Sequence, residues 1–249
     1  MKKILALVLM LALVACASLA LAEEPAVMTA EEYAKAAIDD AVCVEAYVQA
    51  AQGWWEKDGV GRQTLYLEAE DGAGYFAYEV PMTKEESEKL VPGTKIRISG
   101  YKAEWSGEVE IIEGKYEILE AEPFIAEAED VTALLGTDEL INHMNEKVAI
   151  KGAKIVAYTA DGVEFGEELP FSYAWDNSGS RDGNSDLYFK IEVGGAQYTM
   201  TVESYLCSNE TDVYKAVEGL KIGDVVDLEG FLYWYNGANP HITSVTAAQ

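Results

Sequence analysis

The stretch Leu90-Val-Pro-Gly93-Thr-Lys-Ile96-Arg-Ile98-Ser-Gly100-Tyr101 returns 130 residues later as Leu220-Lys-Ile-Gly223-Asp-Val-Val226-Asp-Leu228-Glu-Gly230-Phe231. The leucine, both glycines, the alternating apolar residues and the terminal aromatic all match. The match runs on through Trp105 to Tyr235 and Gly107 to Gly237. Working outward, Leu65-Tyr66-Leu67 pairs with Leu187-Tyr188-Phe189, and Phe76, Tyr78 and Val80 pair with Tyr198, Met200 and Val202, all at an offset of 122. Val42 to Ala46 pairs with Val148 to Gly152 at 106. Order is kept and the offset only grows, as expected for two copies of one unit. The second copy carries 16 extra residues between its first two strands and 8 more before its late helix ends.

Each copy reads the same way. A short helix opens it; in copy one Thr29 and Glu32 make a capping box, with Tyr33, Ala36 and Ala37 on one face. The Asp138 to Met144 counterpart is weaker. A strand follows (Val42–Ala51; Val148–Ala157). Next comes a hairpin: Thr64–Ala69 to Tyr75–Val80 turning at Asp71-Gly72, and Leu187–Val193 to Gln197–Val202 turning at Gly194-Gly195. A helix (Lys84–Leu90 with Thr83 and Glu86 as its box; Thr211–Leu220) precedes two closing strands. These are Lys95–Tyr101 with Val109–Ile112, and Asp224–Tyr233 with His241–Val245. The expected class is mainly β: two tandem five-stranded OB-like Greek-key barrels, each with a short helix between strands three and four. Gly100 and Gly230 fall mid-strand, where a small barrel bends. The units are read as 28–120 and 131–247, joined by a linker at 121–130 around Pro123.

The pattern P-G-T-K-I-R-I-S-G-Y-K-A-E-W from Pro92 to Trp105 resembles the fourth strand of OB-fold domains in exported bacterial proteins, many of them uncharacterised. As two copies the resemblance spans nearly all of the chain beyond its leader. It implies fold rather than function, because such barrels bind oligonucleotides, oligosaccharides and proteins alike.

An exported chain agrees with the first residues. Met1-Lys2-Lys3 is a basic start and Ile4 to Ala15 an uncharged apolar run, the form of a secretory leader. Ala20-Leu21-Ala22 marks cleavage after residue 22. The competing reading is a lipobox, Leu13-Val14-Ala15-Cys16, which makes Cys16 a lipidated terminus and the only route to a membrane. Removing Lys2 and Lys3 takes the formal charge from −26 to −28. Nucleic-acid affinity comes largely from Lys and Arg displacing counterions, so this balance argues against tight phosphate binding. The remaining Cys43 and Cys207 read as buried thiols.

OB barrels bind on strands two and three, flanked by the loops after strands one and four. Those loops hold the aromatic residues: Trp54, Trp55 and Trp105 in copy one; Tyr173, Trp175, Tyr233, Trp234 and Tyr235 in copy two. Tyr101 shares the parity of Trp105, and His241 follows Asn239-Pro240 beside the second cluster. These ten residues are the expected ligand contacts, stacking on a sugar or anchoring a protein partner; the same rings also suit barrel plugs or a domain interface. Lys95, Arg97 and Lys102 form an expected basic patch near Trp105, so single-stranded nucleic acid on copy one is the alternative and ranks low; copy two has Asp227 and Glu229 there. A structural spacer at the cell surface is the third reading. Asp176 to Asp186 is rich in oxygen ligands but misses the EF-hand spacing, and His143 and His241 lack the partners of a zinc site. No catalytic motif, cofactor or metal is expected.

Overall fold

The computed structural model describes residues 25–248; the leader and Cys16 lie outside them. No helix among the described residues is long and apolar enough to cross a membrane.

Copy one contains α1 (Ala30–Lys35), β1 (Ala41–Ala51), β2 (Trp55–Lys57), β3 (Val60–Glu68), β4 (Gly74–Pro81), α2 (Lys84–Ser87), β5 (Lys95–Trp105) and β6 (Glu108–Ile118). Its strands order as β1-β5-β6-β4-β3-β2, and β1 also pairs with β3. That second pairing closes the sheet into a five-stranded barrel. The β4–β6 contact is parallel and the rest are antiparallel, which is the OB order. Copy two repeats it with β7 (Glu129–Asp130), β8 (Lys147–Val156), β9 (Phe171–Tyr173), β10 (Leu187–Val193), β11 (Ala196–Val202), α3 (Asp212–Glu218), β12 (Val225–Phe231) and β13 (His241–Ala247). Here β8–β10 closes the barrel and β11–β13 is the parallel pair. The protein is a pair of tandem OB-like barrels.

Period-2 alternation fills the two interiors. Val42, Val44, Leu65, Leu67, Ile96, Ile98 and Ile111 are fully buried in barrel one; Ile150, Ile155, Leu187, Phe189, Ile191 and Leu228 do the same in barrel two. Each such side chain contributes roughly 1.5–3 kcal/mol of transfer free energy. The mid-strand glycines act as read: a Cβ on Gly100 would sit 2.5 Å from the Ile112 carbonyl oxygen, and one on Gly230 would sit 2.2 Å from that of His241. Both coincide with register shifts, Ser99/Tyr101 and Glu229/Gly230. Cys43 and Cys207 are both buried, in different barrels.

Several elements differ from expectation: β2, β7 and β9 are additional short strands, and the segment that opens copy two is a 3-10 helix over Asp138–His143. The α2 helix stops at Ser87, and Lys89 and Leu90 close it with tighter turns onto Glu86 and Ser87; Pro92 disfavours helical geometry at Val91. The closing hairpin β5–β6 runs on to a two-residue turn at Ser106-Gly107, both at positive φ (54° and 93°). That geometry matches the natural strand twist.

Replacing Gly230 with Ala is expected to cost ~1–3 kcal/mol through overpacking, whereas Gly166→Ala, in open space, leaves the denaturation midpoint unchanged. Equal midpoints for the two variants in urea titrations would refute the close-approach reading.

Candidate functional site

The two barrels share a continuous seam. At its centre Tyr66 of β3, fully buried, meets the Nδ1 of His241 at 2.7 Å. Phe76, Phe231 and Tyr233 surround the pair, with Tyr66 against Phe231 at 4.7 Å and Tyr233 stacked on His241 at 4.3 Å between ring centroids. Burial drives the His241 pKa down to about 3. The ring is therefore neutral, Nδ1 accepts the Tyr66 hydroxyl proton, and Nε2 carries the hydrogen.

Carboxylates bind the rest of the seam through backbone amides. The Lys147 amide donates to Glu68 at 2.7 Å and the Trp234 amide to Glu108 at 2.8 Å. Gln52 donates to Glu203 at 3.3 Å, the Gly53 amide to the Tyr205 carbonyl at 2.8 Å, and the Asn236 amide to the Ser106 carbonyl at 2.7 Å. Desolvation raises Glu68, Glu110 and Glu203 to about 7 and Glu108 to about 8.

Where the seam parts, it opens into a cleft of about 1330 Å³. One wall carries Trp55, Tyr78 and Trp105 of barrel one. The other carries Tyr158, Trp175, Tyr188, Tyr205 and Tyr235 of barrel two, with Tyr233 and His241 at the base. Trp105 packs on Tyr235 at 5.1 Å; these are equivalent positions of the repeat. Trp105 and Trp175 are each 54% exposed, so their faces are open to a ligand. Among the described residues, Glu79, Asp186 and Glu203 are the charged lining groups and no lysine or arginine lines the cleft. Arg62 lies outside it, over the Trp55 ring at 5.7 Å and 3.7 Å from Glu79.

Of the ten expected ligand contacts, Trp55, Trp105, Trp175, Tyr233, Tyr235 and His241 converge on this cleft. The other four do not line it. Trp54 packs on core one and donates its indole N–H to the Met82 carbonyl at 3.0 Å. Tyr173 packs on core two and donates to Glu218. Trp234 leans on core two and over Gly107, while Tyr101 is exposed on β5 away from the cleft.

The basic patch does not form. Lys95 and Arg97 share Glu45 at 3.4 and 2.7 Å. Lys102 is buried and donates to the carbonyls of Tyr33, Ala34 and Ala36, where it completes the C-terminus of α1 and complements its dipole. In the Asp176–Asp186 loop, Asp176 accepts from Ser178, and Asp186 accepts from the Ser204 amide. Sequence reading missed Tyr78, Tyr158, Tyr188 and Tyr205; the alternation of Tyr78 with Phe76 was the available sign.

No family model matches the chain, and no curated protein matches it. Among solved structures, a murine DNA-binding protein bound to double-stranded DNA is 14% identical, covering 83% of this chain and 96% of that one, with a TM-score of 0.36. The p202 HIN1 domain in complex with 12-mer double-stranded DNA is 13% identical, covering 89% and 99%, with a TM-score of 0.34. A replication protein A heterotrimer bound to single-stranded DNA is 8% identical, covering 90% and 69%, with a TM-score of 0.31. The fold assignment rests on the strand order above. The partner expectation is corrected: a carbohydrate or protein surface was ranked first and nucleic acid low, yet these three structures are described with duplex or single-stranded DNA. That ranking leaned on net charge, which governs contacts to phosphate and not stacking on bases.

The seam carboxylates give a signed pH dependence. A carboxyl raised from 4.5 to about 8, as Glu108 is, contributes stability that is complete below pH 4.5 and is lost as pH rises through 8. The Glu108→Gln variant keeps an acceptor for the Trp234 amide and removes the titration. Its stability relative to wild type is expected to rise from pH 5 to about pH 8 and level off above that in thermal unfolding; a constant difference across that range would sink this account.

Proposed function

We propose that the inter-barrel cleft is a binding site for unpaired nucleobases, and that the protein is a binder without catalytic activity. The carrying observation is the convergence of rings from both barrels, the half-buried Trp55 and the exposed Trp105, Trp175 and Tyr235, on one cleft. Base–aromatic stacking contributes roughly 1–3 kcal/mol per base and tolerates any sequence, because every base has a flat π-face. The DNA of the fold neighbours belongs to those proteins; for this chain the support is the cleft. His241 is neutral, with Nδ1 engaged by Tyr66, which supports a structural part for it. The reading includes export, as a bacterial protein, on the strength of the Lys2-Lys3 and Ile4–Ala15 pattern.

The acid excess sets the character of this binding. Phosphates gain no cation in the cleft and meet a repulsive surface, so salt screening relieves repulsion instead of costing attraction. Affinity for a short single-stranded oligonucleotide, followed by tryptophan quenching, is expected to hold or rise with added salt. Replacing Trp105 with Ala weakens it by roughly 5-fold or more, the loss of one stacking platform; Trp54→Phe, outside the cleft, leaves it unchanged. Absence of quenching by every oligonucleotide and nucleoside, at low and high salt, would overturn the proposal.

A further inference from the structure

Resting on the base-binding reading, we propose that the cleft selects bases by their exocyclic amino groups and takes them as nucleosides in preference to phosphorylated forms. An ionised carboxylate is acceptor-only and has about four lone-pair sites. Asp186 uses one oxygen for the Ser204 amide at 2.8 Å. Glu203 is held by the Tyr205 amide at 3.2 Å and the Leu206 amide at 2.7 Å, besides Gln52. These partners fix both lining carboxylates in place without using all their lone pairs; Glu203, raised to about 7 by burial, is acceptor-only once pH exceeds that value.

Adenine and cytosine present an amino donor to such acceptors. Thymine has no amino group; its single imide N–H is flanked by two carbonyl oxygens, so a carboxylate that accepts from it brings its charge beside a carbonyl oxygen, and that acceptor–acceptor contact is costly. The cation inventory points the same way. Glu79, Asp186 and Glu203 line the cleft without a lysine or arginine among the described lining residues, and the nearby Arg62 guanidinium is taken up by Glu79 and the Trp55 ring. A phosphate therefore adds like charge and finds no counterion, whereas a stacked neutral nucleoside adds none.

Equilibrium dialysis of the full mature chain with adenosine, cytidine, thymidine and adenosine monophosphate tests this. Adenosine and cytidine are expected to bind roughly 5-fold or more tighter than thymidine, the lower bound of one good base contact, and adenosine tighter than its monophosphate. The Asp186→Asn variant keeps the acceptor for Ser204 and adds amide donors, so it shifts preference toward thymidine. Equal affinities for all nucleosides, or a monophosphate bound as tightly as adenosine, would overturn the inference and leave base binding standing. Failure of every nucleoside and oligonucleotide to bind would remove both.

Discussion

The Tyr66 hydroxyl and His241 Nδ1 meet across the two barrels inside a cluster of aromatic rings, and both residues are buried. A buried phenol and a buried imidazole each cost free energy unless bonded. Here each is the other's main partner, and they come from different barrels. Separating the barrels would leave both groups unsatisfied or force their rehydration. The bond therefore acts as a register pin: one relative placement of β3 and β13 satisfies it, and the surrounding rings of Phe76, Phe231 and Tyr233 fill the space that this placement leaves.

The same desolvation explains the unusual electrostatics. Glu68, Glu108 and Glu203 lie along the seam, and their bonding partners are backbone amides or Gln52 rather than lysine or arginine side chains. The cations that one might have placed there are committed elsewhere: Lys95 and Arg97 to Glu45, Lys102 to the end of α1, and the Lys147 ammonium to the Ala126 carbonyl at 2.9 Å. An acid excess that looks uniform in the sequence thus becomes a surface contribution plus a small set of buried acceptors. Net charge described the first well and said nothing about the second.

Much of the fold was legible because barrel closure imposes local rules. Alternation, Gly100 and Gly230 at the bends, and the capping boxes at Thr29 and Thr83 are each forced by geometry within a few residues. The polar continuation of the β5–β6 hairpin through Lys102 and Glu104 was not legible, since its buried face is built from polar side chains, Lys102, Glu108 and Glu110, and not from an apolar alternation. The site was partly legible. Trp54 and Trp55 are adjacent, yet one faces the core and the other the cleft; period-2 alternation predicts opposite faces but not which one meets a second barrel. Lys102 appeared as part of a basic patch because sequence does not show that α1 ends against it.

Duplication supplies what a single barrel lacks. Trp105 and Tyr235 occupy equivalent positions of the repeat, and in one barrel alone each would be a lone exposed ring at a hairpin tip. Packed as they are, the two tips touch and form a shared wall. The copies then diverge where the cleft needs different things: barrel one turns tightly at Ser106-Gly107, which lets the Ser106 carbonyl accept the Asn236 amide. Barrel two lengthens its first loop, and the Tyr158 hydroxyl anchors that loop by donating to the Trp175 carbonyl at 2.9 Å. The extra residues of the second copy are therefore not neutral growth of a surface loop. They carry the ring that closes the far side of the cleft, and the asymmetry between the copies is what turns a contact between equivalent tips into a concave site.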